Sequence, residues 1–204
     1  MSVQDFLTRN REWAREQVAR DPDFFLRLTH GQKPTLLLIG CSDSRVPTEQ
    51  IVKAGPGEVF VHRNVANVVA FNDINIAAVI QYAVEHLNVP DVVVCGHYAC
   101  GGVAAACADE IRTGYIGDWL MITSWAKRSV DERLGAAAAA MPREAYLRLV
   151  VEENVRLQLT HLSRLSVVRE AWRIDPGRPR LHGWVYDIGT GLITVVRDGN
   201  AGAA

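Results

Sequence analysis

Two short, unbroken apolar runs organise the chain. Residues 35–40 (Thr-Leu-Leu-Leu-Ile-Gly) and 91–96 (Asp-Val-Val-Val-Cys-Gly) are too short for core helices and rich in branched side chains. They read as strands buried on both faces, the pattern of a parallel sheet covered by helices. Residues 57–61 give a third strand. Residues 74–87 place Ile76, Val79, Ile80, Ala83, Val84 and Leu87 on one face at helical spacing, and Asn88-Val89-Pro90 ends that helix. A further helix starts at about Cys100. Residues 119–129 and 143–165 follow as helices, separated by an Ala-rich stretch and Met141-Pro142. Residues 180–186 and 192–196 are β-like and joined by Gly189-Thr190-Gly191, a hairpin turn.

Upstream, residues 5–28 carry Phe6, Trp13, Val18, Phe24, Phe25 and Leu28 at helical spacing, broken near Asp21-Pro22. This segment precedes the first core strand and reads as an N-terminal helical arm over residues 1–30. The alternation of strands and helices predicts an α/β fold: a mainly parallel central sheet flanked by helices. The whole of residues 1–204 reads as one domain with that arm attached. Residues 199–204 read as a frayed tail.

Bulk properties narrow the partners. Hydrophobic residues make up 49% and charged residues 22%, ordinary for a soluble globular chain. A net charge of -1 gives no global attraction to nucleic acid or to an anionic membrane. No apolar run reaches the roughly 18 residues needed to span a bilayer. The first 20 residues lack an apolar signal core, so the expectation is a cytoplasmic protein. Four cysteines (Cys41, Cys95, Cys100, Cys107) in such a chain are metal ligands or buried thiols rather than a disulfide framework.

The chemistry sits just after the two main strands. The first runs into Cys41-Ser42-Asp43-Ser44-Arg45 and the second into His97-Tyr98-Ala99-Cys100. Open α/β sheets place their sites at the carboxyl ends of strands. Two thiolates, an imidazole and a carboxylate form a ligand set suited to zinc. Cys41, His97 and Cys100 leave one coordination position open, the arrangement of a catalytic site. Asp43 is either the fourth ligand or turned away toward Arg45, a natural bidentate partner. Cys95 and Cys107 read as buried thiols.

Cys-Ser-Asp-Ser-Arg followed by His-x-x-Cys-Gly-Gly resembles the β-class carbonic anhydrases. The likeness extends through Gly57-Glu58-Val59-Phe60-Val61-His62-Arg63-Asn64-Val65-Ala66-Asn67 and His182-Gly183-Trp184-Val185-Tyr186, and is nearest to the bacterial type II branch. It implies one zinc on Cys41, His97 and Cys100, with Asp43 as exchangeable fourth ligand. It implies a catalytic Asp43–Arg45 dyad, and hydration of carbon dioxide to bicarbonate and a proton by hydroxide on zinc. Gln32 matches the family's substrate-contacting glutamine, and Gly102 its backbone donor beside bicarbonate. Val46, Phe60 and Val65 are placed to line an apolar slot, and His62 is weighed as a proton shuttle. The resemblance also implies a dimer or tetramer.

In type II members a tryptophan, an arginine and a tyrosine hold a non-catalytic bicarbonate. This chain has Arg63 and Tyr186 but Leu38 at the tryptophan position. Three other readings stand beside the carbonic anhydrase. One is a carbon disulfide or carbonyl sulfide hydrolase on the same scaffold. Another is a non-catalytic zinc-binding interaction protein. The third, a nucleotide binder, lacks a glycine-rich phosphate loop.

Overall fold

The computed structural model describes residues 1–108 and 113–199. The chain forms two compact units, Met1–Lys33 and Pro34–Ala204. In the first, helix α1 (Val3–Arg20) starts at a reciprocal cap. The Ser2 hydroxyl accepts from the Asp5 N–H, and the Asp5 carboxylate accepts from the Ser2 N–H. Asp21 takes an extended conformation and ends the helix, and α2 (Phe24–Leu28) follows. Trp13, Phe24 and Phe25 meet edge-on, with centroids 5.0–6.3 Å apart. No residue of α1 is buried, and Phe6, Leu7, Trp13 and Val18 are exposed.

The second unit is built on a five-stranded sheet in the order β2-β1-β3-β4-β5. β1 (Leu36–Cys41), β2 (Val59–Asn64), β3 (Asp91–His97) and β4 (Arg180–Asp187) are parallel, and β5 (Leu192–Arg197) returns antiparallel. The Asp187 carbonyl accepts from Thr190 and Gly191 in the expected hairpin turn. The chain leaves β1 for β2 on one side and then crosses to β3 on the other. The carboxyl ends of β1 and β3 therefore flank a topological switch point, where this class of sheet opens a crevice.

The connections carry α3 (Thr48–Ile51), α4 (Ile74–Gln81), α5 (Gly101–Ala106), α6 (Tyr115–Leu134), α7 (Ala137–Ala140), α8 (Arg143–Arg164) and α9 (Ser166–Ile174). The main core lies on one face of the sheet. There Leu37, Ile39, Val92, Val94, Leu181 and Val185 meet Val151, Val155 and Leu159 of α8. A smaller cluster of Leu38, Val93 and Cys95 occupies the other face.

Two glycines set how closely α8 approaches. A Cβ on Gly96 would stand 2.7 Å from Val155 Cγ2, and one on Gly183 would stand 2.8 Å from Leu159 Cδ1. Any side chain at either position forces the helix off the sheet.

Several boundaries differ from the sequence reading. β2 runs three residues further, to Asn64, because it continues pairing with β1 as far as Cys41. The helix expected over 74–87 is α-helical only to Gln81 and continues through Tyr82–His86 with wider, π-type turns. α6 is longer at both ends than the apolar periodicity shows. The Ala-rich stretch forms one helical turn, α7. Extended backbone at Leu165 separates α9 from α8, and the sequence reading did not include α9. Of the expected tail, residues 200–204 lie outside the described residues.

Candidate metal centre

β1 delivers Cys41 and β3 delivers His97 to the switch point. Ala99 then adopts a left-handed conformation, φ +57°, which turns the chain back so that Cys100 enters beside them. Such a conformation costs a β-carbon-bearing residue on the order of 1–2 kcal/mol. The Cys41 and Cys100 sulfurs are 3.9 Å apart. Those two Sγ atoms and a ring nitrogen of His97 all lie within 4.8 Å of one another. All three residues are buried.

His97 Nδ1 lies 3.0 Å from the Tyr98 carbonyl oxygen, which can only accept. Nδ1 therefore carries the proton, and the Nε2 lone pair faces inward. That Nε2 is buried with no hydrogen-bond partner among the described residues. An orphaned imidazole lone pair beside two sulfurs is the environment a bound cation satisfies. The soft donor set of two sulfurs and one nitrogen fits zinc.

Backbone amides tune the sulfurs. Cys41 is held well below the usual thiol range, chiefly because the Cys100 thiol donates to it. Burial opposes this, while the neighbouring His97 ring and then the backbone at Asp43 and Ala66 lower it further. Cys100 is pushed up by holding the shared proton and by burial, while the N–H groups of Val103 and Gly102 at the start of α5 donate to its sulfur. The other two cysteines differ. Burial alone raises Cys95 to about 12, and burial raises Cys107 to about 11. Both are buried thiols, as expected from the sequence.

Asp43 is turned toward Arg45. Its Oδ1 accepts from the Arg45 backbone N–H at 3.0 Å and from Nε at 2.9 Å, and its Oδ2 accepts from Nη2 at 2.6 Å. The Arg45 guanidinium holds this carboxyl well below the usual carboxylate range. Nη2 also donates to the Ala99 carbonyl at 3.1 Å, tying the dyad to the turn that carries Cys100. Asp43 Oδ2 lies 3.8 Å from His97 Nε2, at the edge of the ligand cluster rather than inside it.

The remaining sequence-derived residues are placed as follows. Arg63 donates to the Cys41 carbonyl at 2.8 Å and to the Asp43 carbonyl at 2.7 Å, bracing the segment that holds both. Leu38 is fully buried in the smaller cluster, and Tyr186 packs against that cluster. Gly102 opens α5 against the turn at Val65–Asn67, where a Cβ would stand 3.0 Å from Val65 Cγ1. Val46 is buried, and Phe60 and Val65 pack against the main core. His62 is buried beside Asn64, and burial lowers its pKa. Gln32 is exposed in the N-terminal unit, outside any regular element.

One group escaped the sequence reading. Asn154 and Gln158 are fully buried polar residues on the apolar stripe of α8. The Asn154 amide donates to the Ala66 carbonyl at 3.0 Å. Gln158 donates to Asn154 at 2.9 Å and accepts from the Val69 N–H at 2.8 Å. The available signal was two amides at i, i+4 among Val150, Val151, Val155, Leu159 and Leu162, positions otherwise kept apolar.

Comparison with known proteins agrees with this geometry. A family model described as "Carbonic anhydrase" matches residues 36–193. A carbonic anhydrase of Emericella nidulans is 42% identical over 184 residues, covering 90% of this chain and 78% of that protein. One of Pseudomonas aeruginosa is 38% identical over 176 residues, covering 83% and 76%. Among solved structures, a tetrameric β-carbonic anhydrase of Sordaria macrospora superposes with a TM-score of 0.86 at 38% identity, covering 94% of this chain and 95% of that one. The Coccomyxa β-carbonic anhydrase, solved with acetazolamide, gives 0.86 at 34% identity, covering 95% and 86%. With the matched region spanning both ligand-bearing strand ends and all four parallel strands of the sheet, the chain belongs to the β-carbonic anhydrase family.

Proposed function

We propose that this chain hydrates carbon dioxide reversibly to bicarbonate and a proton, with zinc held by Cys41, His97 and Cys100. The observation that carries the reading is the buried, unpartnered His97 Nε2 facing two sulfurs, with Asp43 held off by Arg45. Zinc held there supplies Lewis acidity, which makes water a competent nucleophile at neutral pH.

The chain's own residues supply the rest. Asp43 Oδ1 is occupied by two donors, whereas Oδ2 takes one and faces the ligand cluster. Oδ2 is therefore the atom that accepts a hydrogen bond from the attacking water and orients its lone pair toward carbon dioxide. Arg45 keeps the carboxylate ionised and prevents it from entering the ligand set. Arg63 holds the Cys41–Asp43 backbone in register with both. By resemblance to the family, Gln32 contacts an oxygen of substrate or product.

Self-association belongs to the same reading. α1 leaves Phe6, Leu7, Trp13 and Val18 exposed, more apolar surface than a free helix should show water. The similar Sordaria protein is tetrameric. A dimer or dimer of dimers is the expected state, and light scattering at micromolar concentration that finds an active monomer contradicts it.

Ligand variants test the metal assignment. Cys41→Ser and His97→Ala should each lose bound zinc and hydration activity together, by elemental analysis and stopped-flow assay. Full zinc content in either variant removes that residue from the ligand set.

The dyad makes a separate demand. Asp43→Asn should keep its zinc but lose about a hundredfold in carbon dioxide hydration, the usual cost of removing one oriented polar group from a reacting centre. Arg45→Ala should lose activity as well. It also releases Asp43 from its partner, so in the zinc-free protein the Asp43 pKa rises toward the ordinary value near 3.9. A carboxylate with a depressed folded pKa stabilises the fold above its unfolded pKa, and that contribution fades as pH falls through the folded value. The stability gap between zinc-free wild type and zinc-free Arg45→Ala should therefore be constant at neutral pH and shrink below about pH 4. Wild-type turnover in both variants refutes the dyad. Carbon disulfide assayed in parallel separates the hydrolase alternative, which predicts its faster turnover.

A further inference from the structure

The turn behind the metal centre is an improbable piece of backbone. Ala66 and Asn67 both have positive φ, +64° and +48°. Asparagine tolerates that region and alanine does not. Two consecutive residues of this kind keep their shape only when the surroundings over-determine it.

Three side chains on one stripe of α8 provide that restraint, at positions 154, 158 and 161. The Asn154 amide donates to the Ala66 carbonyl, and Gln158 accepts from the Val69 N–H and donates back to Asn154. His161 Nδ1 meets the Val69 carbonyl at 3.0 Å. From the far side, the Trp119 indole donates to the Val65 carbonyl at 2.8 Å. The glycine at 96 lets α8 lie close enough to β3 for this reach, since a Cβ there would strike Val155.

The turn in turn adjoins both cysteines. It leaves β2 at Asn64, which pairs with Cys41, and the Ser42 N–H donates to the Asn64 carbonyl at 2.9 Å. Val65 and Ala66 form the wall against which Gly102 sits, at 3.0 and 3.1 Å from where its Cβ would be. Cys100 is the residue that caps α5, two positions before Gly102.

We propose that Asn154, Gln158 and His161 are positioning residues for the metal centre. They hold the turn at Val65–Asn67 in the one shape that continues from the Asn64–Cys41 pairing and walls the start of α5 just after Cys100. This rests on the reading of Cys41, His97 and Cys100 as the zinc ligands. The stripe touches neither metal nor substrate. Its effect reaches the site through the backbone that places Cys41 and Cys100, as outer partners orient ligands in other metal centres.

The test compares Asn154→Leu with Leu162→Ala, a cavity in the fully buried core of the same helix. Zinc affinity is read by competition with a chromophoric chelator, and backbone order by amide hydrogen exchange at Val69. Asn154→Leu should weaken zinc binding about tenfold or more and speed exchange at Val69, whose N–H is held by Gln158. Leu162→Ala should lower the melting temperature yet leave zinc affinity unchanged. Equal zinc loss in the two variants means a merely structural role, and undiminished binding by Asn154→Leu means none; either overturns the proposal. If Asn154→Leu does not fold, exchange in the wild type decides. A Val69 N–H as protected as those of α8 supports the relay, and one that exchanges like an exposed loop refutes it. If Cys41→Ser binds zinc as tightly as the wild type, the reading of the site itself fails, and the proposal with it.

Discussion

Three electron-pair donors are forced together where water is excluded. Cys41 Sγ, Cys100 Sγ and a ring nitrogen of His97 lie within 4.8 Å of one another, and His97 Nε2 has no hydrogen-bond partner among the described residues. Without a cation that arrangement is costly, because a buried polar atom left unpartnered loses its hydration and gains nothing. Its neighbours all relieve the same problem. The Tyr98 carbonyl fixes the imidazole proton on Nδ1, away from the cluster. Each of the two sulfurs lies within 3.9 Å of the other. Arg45 neutralises the nearest carboxylate and keeps it at the rim.

The sheet makes the meeting possible. Because β1 and β3 are adjacent and parallel, their carboxyl ends arrive side by side, and Gly40 pairs directly with Cys95. The crossover to β2 on the other side leaves that end of the sheet open. Close packing of α8 then closes the back of the site. The small residue at 96 is a condition for it, since the helix that buries Val155 against β3 is the one that carries Asn154 to the Ala66 carbonyl. Fold stability and site geometry are thus tied through one helix, and a change that lifts α8 from the sheet disturbs both.

Much of this is legible in the sequence, for physical reasons. Strands buried on both faces must be continuously apolar, so residues 35–40 and 91–96 announce the centre of the sheet. Ligand-grade residues directly after such runs can only sit at its carboxyl edge. The preference of guanidinium for carboxylate pairs Arg45 with Asp43 without any structure. What the sequence leaves out is long-range or conformational. Arg63 bracing the Cys41 and Asp43 carbonyls depends on β2 pairing with β1 as far as Asn64, beyond the strand that the apolar pattern marks. Asn154 and Gln158 lie about 90 residues from the turn they hold, and no local pattern links them. α9 is amphipathic but short, and it is divided from α8 only by the extended backbone at Leu165.

The most direct test is anomalous diffraction at the zinc edge from crystals of the protein purified without chelator. The account predicts a single anomalous peak bonded to both sulfurs and to His97 Nε2, with Asp43 still paired to Arg45. A Cys41–Cys100 disulfide in place of a metal, or a peak held by other residues, contradicts it.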